Sequence, residues 1–354
     1  MLKKIVAVLL STFTAAALAV PLGSQSVLVV EDDTGKIILE KNADVQVPIA
    51  SLTKLMTAMV VLDAKQSMAE PIEIDRADVD TLKHSTSRVP VGAELSRAEA
   101  LQLALMSSDN RAAASLARTF PGGNEGFRRA VNAKIRALGL SHTVIEEPTG
   151  LSPHNRSTAT DLIKMTAAAS TYPEIRRITT DTRDVVKIKG RQVEYHNTNR
   201  LVGAKGWDVG LSKTGYTEEA GRCLIMRFRS GGKNNTLVLL NARANSVRLT
   251  DAVSIRRLIA GPGATSLERP KMLKASAKAK APQKAKVLKA SAKAKPNQKA
   301  KVLRTSAKSK SAEKAKVVRA SAKVKAANKA KVVKASAKVE KKKVVKAKGN
   351  SREM

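Results

Sequence analysis

A chain of 354 residues with 65 Lys+Arg against 30 Asp+Glu carries a formal charge of +35. Its length allows an enzyme-sized core. The single Cys223 excludes an internal disulfide framework and a Cys-cluster zinc site, and four histidines without H-x-x-x-H spacing argue against a bound metal.

The first residues read as an export signal spanning 1–19. Lys3 and Lys4 precede an apolar run from Ile5 to Val20, and Ala17-Leu18-Ala19 supplies small residues for cleavage. The run is shorter than the roughly 20 apolar residues of a membrane span. Ser26–Val30, Asp32-Asp33-Thr34-Gly35 and Lys36–Leu39 predict a hairpin turning at the glycine. Ser51–Leu62 is too apolar for a surface helix and is expected at the centre. Ser96-Arg97-Ala98-Glu99 is a capping box opening a helix over Arg97–Met106. Further helices are expected over Ser108–Thr119, Asn124–Leu138 (stopped by Gly139) and Thr158–Ser170, the last capped by Ser157. After Tyr172 the pattern turns to strands: Asp184–Lys189, Gln192–Tyr195, Val209–Lys213, Arg222–Arg229 and Thr236–Ala242. A last helix fits Ser246–Ala260, closed by Gly261-Pro262-Gly263. Strands at both ends and helices between them predict an α+β domain over 20–268, an antiparallel sheet plus a helical subdomain. Trp207 is expected to pack beneath the strand carrying Lys213, and Cys223, between apolar strand neighbours, to be buried.

The segment 269–354 is different. It holds 30 of the basic side chains and 3 of the acids, leaving +8 for the rest of the chain. Lys274-Ala-Ser-Ala-Lys278 recurs with a 15-residue period five times. With no aromatics it cannot bury enough apolar surface to offset its chain entropy, which predicts a disordered tail. Its Val-Leu and Val-Val pairs would spiral around a helix, because 15 residues overshoot four turns by about 60°. A charge-held tether to an anionic envelope surface fits this better than an inserted anchor. Export argues against nucleic acid as the partner, although lysine repeats of this kind bind polyphosphate.

Three motifs carry chemistry: Ser51-Leu52-Thr53-Lys54 (S-x-x-K), Ser108-Asp109-Asn110 (S-x-N) and Lys213-Thr214-Gly215 (K-T-G). Each alone reads blandly, Ser51 as a cap, Ser108 as a helix start and Gly215 as a turn; the ordered set does not. Serine needs a base to become a nucleophile. Lys54, one helical turn from Ser51, can be that base if burial, the helix N-terminus and a second cation, Lys213, keep it neutral. Ser108 can pass a proton between Lys54 and the leaving amine, and Asn110 can hold a substrate carbonyl. Lys213 and Thr214 can grip a substrate carboxylate, and Gly215 lets backbone approach backbone. The backbone N–H groups of Ser51 and Tyr216 would form the oxyanion hole. No cofactor or metal is called for.

With Leu105-Met-Ser-Ser-Asp-Asn-Arg, Glu147-Pro-Thr-Gly-Leu-Ser, Asn197-Thr-Asn and Lys213-Thr-Gly-Tyr-Thr-Glu-Glu-Ala-Gly-Arg-Cys-Leu, the chain resembles the low-molecular-mass penicillin-binding proteins, serine D-Ala-D-Ala peptidases. It is most similar to the D-alanyl-D-alanine endopeptidases of the penicillin-binding protein 7 type. The resemblance spans Ser26–Ala260 and implies a penicillin-binding protein/β-lactamase-like transpeptidase fold, peptidoglycan stem peptides as substrates, β-lactams as inhibitors and a periplasmic location. Carboxypeptidase members carry a second β-domain and an amphipathic anchor, which this sequence does not show; that favours the endopeptidase over D-Ala trimming. A class A β-lactamase shares the three motifs but needs a glutamate that activates water, and Glu146 and Glu147 sit in the peptidase pattern instead.

Overall fold

The computed structural model describes residues 21–261; the expected export signal and the lysine repeats lie outside the described residues. The predicted hairpin is β1 (Ser24–Glu31) and β2 (Ile37–Lys41), with Gly35 in the left-handed region at φ +69°. The chain then leaves the sheet through β3 (Val47–Pro48) and a 3-10 turn, Ala50–Thr53, into α1 (Lys54–Asp63). Eight of the ten α1 residues are buried, so the helix is central, as its all-round apolarity requires. β4 (Pro71–Glu73) pairs with β5 (Glu94–Ser96), which leads into α2 (Arg97–Met106). The Ser96–Glu99 capping box is fully formed there.

α3 (Asn110–Arg118) and α4 (Gly123–Ala137) complete this side of the subdomain, and Gly139 follows α4 at φ +61°. β6 (Arg156–Ser157) pairs with β3, and α5 (Ala159–Ala169) follows. Two helix starts differ from expectation. α3 begins at Asn110, because Asp109 is the residue that caps it, and Ser108 stands outside at φ +61°. Thr158, not Ser157, caps α5 by accepting from Asp161 N; the Ser157 hydroxyl bonds Thr143 instead. One helix was not expected at all. α6 (Pro173–Thr180) occupies ground read as a run-up to strands, although Pro173 at its start and inward-facing Ile175 and Ile178 are helix signals.

Next come a hairpin, β7 (Arg183–Ile188) and β8 (Arg191–His196), three long strands, β9 (Asp208–Thr217), β10 (Gly221–Ser230) and β11 (Lys233–Ala242), and α7 (Asn245–Ala260). The main sheet has the order β2-β1-β11-β10-β9, antiparallel throughout. Its strands alternate between two buried faces. Val27, Val29, Leu224, Met226, Leu237 and Leu239 face α7, while Leu28, Ile225, Val238 and Leu240 join the larger core with the helical subdomain. Trp207 packs on the α7 side, 5.6 Å from the Phe228 ring of β10. Cys223 is buried, and that burial pushes its thiol up to about 11. β9 lies at the sheet edge, so its outer backbone groups face the helical subdomain rather than a further strand.

Candidate active site

Ser51 lies in the 3-10 turn that precedes α1, not in the helix itself. Two close backbone approaches fix that turn. A Cβ on Gly150 would stand 1.9 Å from the carbonyl oxygen of Ala50, so the loop between α4 and β6 can lie here only as glycine, at φ +85°. On the other side, a Cβ on Gly215 of β9 would stand 3.0 Å from Ile49 O and 3.1 Å from Ser51 N. The turn is held between these two backbones, and Ala50 takes a left-handed φ of +46° directly before the serine.

Lys54, the first α1 residue, is 1% exposed. Its Nζ lies 3.0 Å from Ser51 Oγ, 2.7 Å from Asn110 Oδ1 and 2.7 Å from the carbonyl oxygen of Thr149. Burial pushes its pKa down to about 8, and the charges of Glu147 and Asp109 oppose the fall. A neutral amine here would donate to Asn110 and Thr149 and keep its lone pair for the Ser51 hydroxyl proton.

Lys213, on β9, is equally buried, and its Nζ donates to Ser108 Oγ at 2.8 Å. Burial, then repulsion from Lys54 and Arg248, holds it well below the usual lysine range. The repulsion expected to lower Lys54 is felt at Lys213 instead: burial alone lowers Lys54, whereas at Lys213 the Lys54 charge adds to burial. Ser108 bonds Lys213 rather than Lys54, which leaves its own O–H free toward the cleft. Asn110 is more committed than expected: Oδ1 takes Lys54 and Nδ2 donates to Ser85 Oγ at 2.8 Å. One amide N–H remains for a substrate carbonyl. Thr214 donates to Thr198 Oγ1 at 2.7 Å, and the half-exposed Tyr216 ring carries the Arg222 guanidinium 3.4 Å from its centroid.

Sequence reasoning missed the role of Glu147. Its carboxylate accepts from Thr149 N and Oγ1, Gly150 N, Ser152 N and Asn155 Nδ2. Asn155 in turn donates to Thr53 Oγ1 in the serine turn, and its side-chain Oδ1 backs the loop by accepting from Glu146 N. The network sets the Thr149 carbonyl against Lys54. A carboxylate with five donors has no lone pair to spare for a hydrolytic water, and Glu146 is exposed with Ser152 on one oxygen. This is not the water-activating glutamate of a class A β-lactamase. Among the described residues no group of three His, Cys, Asp or Glu is placed to hold a metal ion, and no helix is long and apolar enough to cross a membrane.

Residues 12–244 match the family model described as D-alanyl-D-alanine carboxypeptidase. A D-alanyl-D-alanine endopeptidase of Pseudomonas aeruginosa is 45% identical over 238 residues, which are 67% of this chain and 77% of that protein. Among solved structures, a Streptomyces DD-transpeptidase superposes with a TM-score of 0.62 at 25% identity, covering 66% of this chain and 96% of its own. A penicillin-binding protein of Listeria monocytogenes in its ampicillin-bound form does so with 0.58 at 28% identity, covering 68% and 98%. The fold is that of the DD-transpeptidases and penicillin-binding proteins. With the three motifs gathered on one cleft and a family match over most of the described domain, the chain belongs to the D-alanyl-D-alanine carboxypeptidase family of serine peptidases.

Proposed function

We propose that this chain is a penicillin-sensitive serine DD-peptidase that hydrolyses D-Ala-diaminopimelate cross-links of peptidoglycan through an acyl-enzyme on Ser51. The observation that carries it is the buried Lys54 amine 3.0 Å from the Ser51 hydroxyl, with its other contacts spent on Asn110 and Thr149. Ser51 Oγ attacks the carbonyl carbon of the D-Ala, and Lys54 takes the hydroxyl proton. The oxyanion is held by the Ser51 and Tyr216 backbone N–H groups. The C–N bond breaks as Ser108 delivers a proton to the leaving amine, and Ser108 recovers one through the lysines. Water then cleaves the ester and frees Ser51. Lys213 and Thr214 hold the carboxylate beside the scissile amide, Asn110 a substrate carbonyl, and Gly215 lets the peptide lie along β9.

A β-lactam presents a strained amide to the same groups and acylates Ser51; the ampicillin-bound Listeria relative of this fold supports that. The relative at 45% identity is named an endopeptidase, while the family description is that of a carboxypeptidase. A terminal D-Ala offers Lys213 and Thr214 the same carboxylate, so trimming of D-Ala is the second reading. The N-terminal apolar segment supports export to the periplasm, and the lysine repeats support a tether to an anionic envelope surface. Digestion of purified sacculi, followed by chromatography of the muropeptides, separates the readings. Loss of cross-linked dimers with pentapeptides untouched is expected. Release of D-Ala from monomeric pentapeptides alone would reverse the assignment.

A further inference from the structure

We infer that the basic groove between loop 85–91 and the β7–β8 hairpin is a subsite for the carboxylates of the leaving stem peptide, and that it favours cross-linked over monomeric substrate. The inference rests on the peptidase reading above and adds what the three motifs lack, a feature able to tell the two substrates apart.

The groove is a cavity of about 390 Å³ lined by Arg88, Pro90, Ile188, Lys189, Arg191 and Val193. Three cations line it and no carboxylate does. Among the described residues none of the three makes an ion pair. Ten arginines and lysines of the described residues do pair with acids, as Arg97 does with Glu70 and Arg118 with Asp78, so what sets the groove apart is that three cations share one hollow. Three cations around one hollow repel one another, and an anion relieves that repulsion; the Glu73 carboxylate lies near Lys189 at Gly92 but outside the groove lining.

The walls are preformed. The Arg88 guanidinium sits 4.0 Å from the centroid of the buried Tyr195 ring. Lys189, at φ +47° in the two-residue hairpin turn with Gly190, reaches across to Val91 O at 3.0 Å and ties the hairpin tip to the loop. Arg88 and Lys189 therefore have less side-chain entropy to lose on binding than free surface cations.

Both walls also begin at the groups that grip the leaving side of the substrate. The loop starts where Ser85 accepts from Asn110 and Ser87 donates to Asp109 at 2.7 Å, either side of the S-x-N turn. The hairpin ends at His196, two residues before the Thr198 that bonds Thr214. From Val193 to Thr198 is five residues, at most roughly 17 Å of extended chain. A single D-Ala leaving group has one carboxylate, and once that is on Thr214 it has none left to offer the groove. The leaving strand of a cross-link is a diaminopimelate within a stem peptide, several residues long and bearing further carboxylates. At roughly 3.3 Å per extended residue, a segment of that length covers the path even at its upper bound.

The test uses the full chain with Lys189→Gln and Arg191→Gln combined, leaving Arg88 on its ring. Three reactions are compared: hydrolysis of a purified cross-linked muropeptide dimer, release of D-Ala from a monomeric pentapeptide, and acylation by benzylpenicillin, which carries no stem peptide. The variant is expected to lose about tenfold in kcat/KM on the dimer, mainly through KM, and to lose most of the salt sensitivity of that reaction, while acylation stays within about twofold. Unchanged dimer cleavage overturns the subsite, and so does an equal fall in all three reactions. If the wild-type chain acylates with penicillin but leaves dimers intact, the endopeptidase reading has failed, and the groove's role falls with it.

Discussion

Replacing Glu147 by Gln keeps the side chain's shape, removes its charge and exchanges one acceptor for a donor. The structure dictates how the new amide sits. Turned one way, its nitrogen would face Gly150 N, Ser152 N and Asn155 Nδ2, stranding three donors. Turned the other way it faces Thr149, whose hydroxyl can rotate to accept while only the Thr149 N–H loses its partner. One buried N–H without an acceptor costs about 1–3 kcal/mol. In a domain of this size that lowers Tm by roughly 2–12 °C. The charge matters separately. Lys54 is held at about 8 by burial, with Glu147 opposing the fall, so without that charge its pKa drops further. The base is neutral above its pKa, and acylation of the free enzyme rises with pH through that value. Glu147→Gln therefore shifts the rising limb to lower pH, and the plateau falls as the Thr149 carbonyl loosens. The assay is the second-order rate of acylation by a fluorescent penicillin against pH, paired with a thermal melt. A lower Tm with an unmoved or upward-shifted midpoint would refute the electrostatic argument and leave Glu147 a loop brace alone.

Gly150→Ala should slow acylation by about a hundredfold or more, because the new Cβ meets the Ala50 carbonyl and moves the serine turn; an acylation rate near wild type would show that the turn tolerates displacement. Deleting 271–354 should leave hydrolysis of soluble peptides unchanged and remove salt-sensitive sedimentation with sacculi or anionic vesicles, since charge–charge binding is screened within about 8 Å at physiological salt; equal, salt-insensitive binding by the truncated chain discards the tether. Cys223, buried with its thiol pushed up to about 11, should react with a thiol reagent only after denaturation, and labelling of the native protein would contradict its place in the core.

Much of this architecture was legible because it rests on periodicity and local chemistry. The alternation of β1, β10 and β11, the fully apolar α1 and the Ser96–Glu99 box are each set by residues close in sequence, and they appear where the pattern puts them. The cleft was legible through side-chain types: the structure brings Lys54 to Ser51 and Asn110, and Lys213 to Ser108. What escaped lies in the backbone or in long-range partners. The Thr149 carbonyl on Lys54 belongs to no side chain, and Glu147 reads as an ordinary loop acid until its five donors are seen. Ser108 differs because Asp109 caps α3 and turns the serine toward Lys213. The cap of α5 slipped by one residue because Ser157 and Thr158 both fit the pattern, and only the distant Thr143 decides between them.

Whether Ser51 carries the acyl group is read by intact-protein mass spectrometry after exposure to benzylpenicillin, with peptide mapping of the adduct. A single penicilloyl addition is expected on the peptide containing Ser51, absent from a folded Ser51→Ala variant with an unchanged melting curve. A stable adduct on Ser51→Ala, or one that maps to Ser108 or any other side chain, would contradict it.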